Sequence, residues 1–194
     1  MTSDTMNKKI NNNSGFTLVE ILVAMSIFVT AMIAVTAIFS FSNQTQRTTQ
    51  AVQELQSDAR FAMEIMAQQI RRSSIYYAST QYGGSISSNP QDVLVLLNNN
   101  NEQAWFRRGV SGSQGILEIS SDGSAWEQVS PPEINVDLLK FYISPSSNPF
   151  ISNPTVNIQP KVTIVMRTSN TSRGGENLSP NYLQTTVSSR QYLR

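Results

Sequence analysis

One carboxylate stands out because of the residues around it. Glu20 is the only charged residue in a run of 26 mostly apolar residues, from Phe16 to Phe41, which contains no Gly or Pro. Insertion scales place the cost of an acidic residue at the centre of a membrane helix at roughly 2.5–3.5 kcal/mol, and it is lower near the helix end. Glu20 therefore calls for a cationic partner, and a free amino group made by cutting before Phe16 would be one. The simpler alternative is an interfacial Glu that reaches water.

The segment that carries Glu20 is long enough to cross a bilayer. At 1.5 Å per residue its 26 residues reach about 39 Å as a helix, which exceeds the hydrocarbon core of about 30 Å. Lys8 and Lys9 precede it in a polar leader, so the positive-inside rule places the leader in the cytoplasm and the rest of the chain outside it. No Ala-x-Ala-like site ends the apolar run, which argues against a cleaved secretory signal peptide.

Residues 15–20 read Gly-Phe-Thr-Leu-Val-Glu and follow this short basic leader. The combination resembles the class III signal of type IV pilins and pseudopilins. The resemblance implies that prepilin peptidase cleaves between Gly15 and Phe16 and that the new N-terminal Phe16 is N-methylated. It also implies that Glu20 meets the amine of a neighbouring subunit. The implied partners are other pilins or pseudopilins, the peptidase and an inner-membrane assembly platform.

The amino-acid composition argues against an enzyme or a metal-binding protein. The chain has 194 residues and no His or Cys, so Ser-His and Cys-His nucleophile pairs and the commonest zinc ligand are absent. Residues 109–113 do not fit the Gly-x-Ser-x-Gly nucleophile elbow. The pair Asp122-Gly123 lacks the further spaced oxygen ligands that a calcium loop needs. We expect no catalytic residue, cofactor or metal.

The charge balance gives no case for nucleic acid. Residues 16–194 carry twelve basic and twelve acidic side chains, and the pairs at 71–72 and 107–108 are arginines. A competence pilus could use these arginines to contact DNA, but in a neutral chain they indicate a solvated face. Trp105 and Trp126 are expected in the core or on a sheet face, with a contact to another pilin or a surface ligand as the alternative.

The apolar helix is expected to continue beyond the membrane. Between Phe16 and Tyr82 there is no Gly or Pro, and the spacing of apolar residues predicts an amphipathic helix over residues 43–78. Its predicted buried stripe is Val52, Leu55, Ala59, Ala62, Met66, Gln69 and Ile70. A solvated coiled-coil stalk is the alternative. Residues 58–63 and Arg71-Arg72 resemble the corresponding helix of PilW-type minor pilins and of the J pseudopilin of type II secretion.

The rest of the chain is predicted to be β-rich. Strands are expected at residues 92–97, 103–108, 116–119, 125–129, 134–143, 162–167 and 183–190, with loops at 79–90, 109–115 and 145–160. Strands that follow one long helix indicate an α+β fold with an antiparallel sheet. The organisation is then a leader (1–15), a membrane or filament-core helix (16–42), its amphipathic continuation (43–78) and a β-rich head (79–194).

The resemblance implies a structural subunit that starts in the inner membrane, with the N-terminus cytoplasmic and the head periplasmic, and that later enters a filament. The missing disulfide loop favours a minor subunit of the pilus or pseudopilus. Pilus, competence pilus and type II secretion pseudopilus are not separated by the sequence. The alternative from another class is a single-pass anchored binding or sensor domain that does not polymerise.

Overall fold

The computed structural model describes residues 15–83, 85–152, 158–170 and 179–189. Lys8 and Lys9 of the leader, and Arg190 at the end of the last predicted strand, lie outside these ranges. The chain divides into two compact units, Met1–Gln46 and Arg47–Arg194. One helix, α1 (Leu18–Arg72), contributes residues to both units.

The part of α1 in the first unit is apolar and uncovered. Its large hydrophobic side chains are all exposed, from Leu18 at 80% to Val23 at 49%. A helix that is apolar on every side and covered by no protein is typical of a membrane span. By length and composition, α1 is long and apolar enough to cross a bilayer.

The part of α1 in the second unit buries one stripe. Leu55, Ala59, Ala62, Met66 and Ile70 are buried, which confirms five positions of the predicted stripe. Val52 and Gln69 are only partly covered, while Met63 and Ala67 widen the stripe. The spacing of three and four residues places these side chains on one face of the helix, and that face packs in the hydrophobic core.

Helix α1 ends at Arg72, whereas the sequence pattern predicts a helix that continues to residue 78. Strand β1 (Ser74–Ile75) follows at once and pairs antiparallel with Leu97 and Leu96. In addition, the carbonyl of Ser73 accepts a hydrogen bond of 2.6 Å from the hydroxyl of Ser189. These partners lie far away in sequence, so the helical pattern of residues 43–72 gave no sign of where the helix would stop.

The first sheet has five antiparallel strands in the order β1-β2-β3-β4-β5. They are β1, β2 (Val93–Leu97), β3 (Gln103–Ser111), β4 (Gln114–Ser120) and β5 (Glu127–Gln128). The predicted loop over residues 109–115 is wrong, because Ser111 pairs with Gln114 across a two-residue turn. Gly112 in that turn has a φ of 63°, a conformation that glycine adopts without steric cost.

The second sheet has three antiparallel strands in the order β6-β7-β8. They are β6 (Ile134–Ser144), β7 (Lys161–Asn170) and β8 (Asn181–Ser188), and β6 carries an irregularity between Val136 and Leu138. A short helix, α2 (Pro149–Ser152), lies within the predicted loop 145–160. The sequence predicts one antiparallel sheet, whereas the structure divides the strands between two.

One hydrophobic core joins the two sheets and the second part of α1. Phe106 and Leu117 from the first sheet, Phe141 and Ile164 from the second, and Met66 from α1 are all fully buried. The fold is therefore α+β, with a long N-terminal helix packed on antiparallel sheets.

Candidate processing and assembly site

Three described residues precede the first turn of α1. Gly15, Phe16 and Thr17 precede the helix, and the backbone N–H of Glu20 donates to the Thr17 hydroxyl at 3.2 Å. The N–H of Ile21 donates to the Thr17 carbonyl, also at 3.2 Å. Thr17 is therefore the N-cap of α1, a role that the sequence analysis missed. The signal was present, because Thr-x-x-Glu before an apolar run is the pattern of a capping box.

The two residues at the implied cleavage site, Gly15 and Phe16, are not packed against other parts of the described chain. A Cβ added to Gly15 would meet no atom within 4 Å, and Gly15 is not among the glycines with a positive φ. Phe16 is 79% exposed. Because the fold places no demand on a glycine at position 15, any requirement for it comes from the molecule that reads this segment.

Glu20 lies in the first turn of α1, on the surface of the helix. Within the described residues, its carboxylate forms no hydrogen bond or ion pair with another side chain. The N-terminal end of a helix carries partial positive charge, which stabilises a nearby carboxylate by about 0.3–1 kcal/mol. Phe16 and Glu20 line the same groove along one face of α1, so an amine at Phe16 and this carboxylate belong to one region of the surface.

Three hydroxyl groups of the apolar run, those of Ser26, Thr30 and Thr36, donate to carbonyls of their own helix. The Ser26 hydroxyl donates to the Val23 carbonyl at 2.7 Å, and the Thr36 hydroxyl donates to the Met32 carbonyl at 2.8 Å. The Thr30 hydroxyl likewise donates to carbonyls one turn back. Such bonds satisfy polar side chains in lipid. Glu20 is left as the one charged group of the run.

The other candidate residues serve the fold of the head. The guanidinium of Arg107 lies 3.8 Å from the centre of the Trp126 ring and forms an ion pair of 2.8 Å with Glu118. Trp105 packs against the core from a partly buried position. Both tryptophans lie at or beside the first sheet and are partly buried, which agrees with the predicted core or sheet-face position.

The arginine pairs are largely committed to contacts within the chain. Arg71 forms an ion pair of 2.9 Å with Glu64, and this contact lowers the pKa of the Glu64 carboxyl. Arg108 donates to the Val136 carbonyl at 2.6 Å. With Arg107 also paired, three of the four arginines have partners in the folded chain.

The Asp122 carboxylate organises a turn. It accepts hydrogen bonds from the Ser124 hydroxyl at 2.6 Å and from the backbone N–H groups of Ser124 and Ala125 at 2.8 and 3.1 Å. These bonds, of which that from the Ser124 hydroxyl is the largest cause, lower the pKa of Asp122. Gly123 has a φ of 79° and lies against the Trp105 ring. In the described part of the chain, no group of three or more acidic side chains gathers as a metal site.

The site and the fold together define a single-pass membrane-anchored protein with an α+β head and a processing segment at the start of its membrane helix. Residues 10–36 match the family model described as the prokaryotic N-terminal methylation motif. The match covers 27 of the 194 residues and supports a class III signal of the kind that begins type IV pilin-like precursors. No curated protein and no solved structure matches the chain.

Proposed function

We propose that this protein is a structural subunit, in a minor role, of a type IV pilus or type II secretion pseudopilus. The observation that carries the proposal is the methylation motif at residues 10–36 joined to an uncovered apolar helix whose one charged residue is Glu20. A membrane anchor alone needs neither an acidic residue in its first turn nor this processing motif.

The first step in this proposal is hydrolysis of the amide between Gly15 and Phe16 by prepilin peptidase. Water adds across the bond, so the leader leaves with a carboxylate on Gly15 and the mature chain begins with the amine of Phe16. The leader takes Lys8 and Lys9 with it, which removes the charges that hold the N-terminus on the cytoplasmic side. A methyl donor then transfers its methyl group to the Phe16 nitrogen, which gives up one proton, and the resulting secondary amine stays basic and positively charged at neutral pH.

The second step is assembly through α1. In the inner membrane the exposed apolar side chains of residues 16–41 contact lipid, and in a filament they contact the same helices of neighbouring subunits. Glu20 pairs with the Phe16 amine of a neighbour, and pairing removes the cost of a lone carboxylate in an apolar environment. Because a subunit out of register leaves the charge unpaired, the pair favours one register.

The partners follow from this route. They are prepilin peptidase, an inner-membrane assembly platform and other pilins or pseudopilins that contact residues 16–42. The head, from residue 79, lies in the periplasm before assembly. Support for a minor role comes from the absence of Cys, because many major pilins carry a C-terminal disulfide loop.

The test is the intact mass of the protein from its native membrane. We expect the mass of residues 16–194 with one added methyl group. The matched variant Gly15→Ala, which adds a Cβ where nothing lies within 4 Å, keeps the fold and should give the uncleaved mass. A full-length mass of the unaltered chain, in cells with an active prepilin peptidase, would refute the proposal and leave an anchored binding or sensor domain.

A further inference from the structure

Strand β8 forms one edge of the second sheet. It pairs with β7 in a single register, from Asn181 opposite Thr168 to Ser188 opposite Lys161. Its other side faces no strand among the described residues. The backbone N–H and C=O groups on the outer side of β8 therefore have no neighbouring strand among the described residues to bond with.

The alternation of hydrogen-bonded and non-bonded pairs along the ladder shows which residues of β8 turn their N–H and C=O groups outward. Just beyond β8, the N–H of Ser189 donates to the Pro160 carbonyl at 3.0 Å. Residue pairs in an antiparallel ladder alternate between bonded and non-bonded, so the odd-numbered residues of β8 bond to β7. The hydroxyls of Thr186 and Thr163 meet at 2.8 Å, as expected for a non-bonded pair, where side chains lie closer. The outward N–H and C=O groups belong to Tyr182, Gln184, Thr186 and Ser188.

The opposite edge of the same sheet, on β6, shows how this protein closes an edge. The same alternation turns the backbone of Phe141 and Ile143 outward. Phe141 exchanges two backbone hydrogen bonds with Gln91, at 2.7 and 2.9 Å. The side-chain amide of Asn89 imitates a strand, because it donates to the Ile143 carbonyl at 2.9 Å and accepts from the Ile143 N–H at 3.1 Å.

The start of β6 is closed by side chains of the first sheet. Its outward carbonyls are those of Ile134 and Val136. The Ile134 carbonyl accepts from the Gln114 side chain at 2.6 Å, and the Val136 carbonyl accepts from the Arg108 guanidinium, also at 2.6 Å. Four outward carbonyls of β6, those of Ile134, Val136, Phe141 and Ile143, thus accept hydrogen bonds from groups that lie far away in sequence.

Among the described residues, no comparable hydrogen bonds satisfy the outer edge of β8. No hydrogen bond from a described residue reaches the four outward N–H groups or the four outward carbonyls of β8. Residues 181–188 also contain no charge and no Pro, and the register with β7 has no bulge. Proteins commonly protect exposed edges with charge, Pro or a bulge, and an unprotected edge of this length is a template for strand pairing.

A groove lies beside the start of this edge. It has a volume of about 310 Å³ and is lined by Gln56 and Arg60 of α1 together with residues 181–184. Arg60 is exposed and forms no ion pair with a described residue. A strand added to β8 would place a side chain near this guanidinium, and an acidic side chain is the one that complements it.

We propose that the outer edge of β8 accepts an extended segment of a different subunit, which carries an acidic side chain opposite Arg60. The inference rests on the proposed function, because that function brings subunits side by side. The added strand forms backbone hydrogen bonds with Tyr182, Gln184, Thr186 and Ser188. Main-chain pairing supplies the affinity in strand addition, and side-chain pockets supply the specificity.

A second copy of this chain fits the edge less well. Antiparallel pairing of two β8 strands has its two-fold axis perpendicular to the sheet, which reverses the direction of a helix packed on that sheet. Under the proposed function neighbouring subunits assemble with α1 running in the same direction, and such subunits do not meet that requirement. Among the described residues, the free edge strands β1 and β5 of another copy have only two residues each, too few for four outward positions.

The test uses the full-length protein in its native cells. A photo-crosslinking amino acid replaces Tyr182, and a control replaces the 61%-exposed Val110 of β3. We expect the probe at position 182 to join an extended peptide of another subunit, identified by mass spectrometry, and the probe at position 110 not to do so. Gln184→Pro removes one outward N–H without touching the β7 ladder and should reduce this cross-link at least tenfold. Gln184→Ala keeps the N–H and should retain it.

Three results would overturn the proposal: a cross-link to a second copy of the chain, a cross-link unaffected by Gln184→Pro, or no cross-link at position 182 in processed protein. If Gln184→Pro lowers the melting temperature, Arg60→Glu replaces it, since reversing this charge leaves the backbone intact and should weaken the same cross-link. The intact mass is measured in parallel. An uncleaved mass refutes the proposed function, whereas a cleaved mass without the cross-link refutes only the edge proposal.

Discussion

Replacing Glu20 by Gln tests the central electrostatic step of assembly. The change removes one charge and keeps the length and hydrogen-bonding capacity of the side chain. In the structure, Glu20 is exposed in the first turn of α1, and the cap of that turn uses its backbone N–H and the Thr17 hydroxyl. The carboxylate contributes to the isolated helix only through the partial charge of the helix end, by about 0.3–1 kcal/mol. The variant should therefore fold, insert and be cleaved.

The effect on assembly should be much larger. If the filament buries the pair between Glu20 and the Phe16 amine of a neighbour, loss of one partner leaves an uncompensated buried charge, which costs about 3–5 kcal/mol. At 1.4 kcal/mol for each factor of ten, incorporation should fall between about a hundredfold and a few thousandfold. This is several times the cost to the isolated helix, so the two contributions are separable by experiment.

The assay compares two quantities in the same cells: the cleaved mass from membranes and the amount of the chain in sheared or purified filaments. Glu54→Gln is the matched control, because Glu54 is an exposed glutamate on the same helix in the second unit. We expect full cleavage in both variants and loss from filaments only in Glu20→Gln. Normal incorporation of Glu20→Gln would refute the ion pair and favour an interfacial role for this residue.

Three further predictions concern processing, the core and pH. Gly15→Ala should leave the thermal unfolding temperature unchanged and should abolish cleavage, which the intact mass would report. Cleavage at the normal rate would show that the peptidase does not recognise this glycine. Phe141→Ala should lower the free energy of unfolding, measured in urea, by about 3–5 kcal/mol, because Phe141 is fully buried. In the control variant Tyr142→Ala, which changes a side chain that is 43% exposed, the free energy of unfolding should change by about 0.5 kcal/mol or less. Burial raises the pKa of Tyr77 to about 12. The unfolded chain therefore ionises first, and stability should fall as pH rises from about 10 towards 12; an alkaline unfolding curve that Tyr77→Phe leaves unchanged would contradict this.

The methylation motif and the exposed apolar helix could be predicted from the sequence because their determinants are local. The leader, Gly15, Phe16 and Glu20 lie within one short segment, and the exposed apolar run requires only helix-forming residues and no Pro or Gly. The buried stripe of α1 at Leu55, Ala59 and Met66 was predicted for the same reason, since spacing along one helix fixes the face that a side chain occupies.

The sequence by itself determined the class III signal, the membrane helix and the strand-rich head, because each depends on neighbours along the chain. Only the tertiary structure decided the end of α1 at Arg72, the division of the strands into two sheets and the different state of the two edges of the second sheet. Asn89 and Ile143, for example, are 54 residues apart, and their pairing helps to close the edge at β6, whereas no described residue pairs with the outer side of β8. A hydrogen bond over that distance depends on how the core brings two segments together, and no local pattern records it.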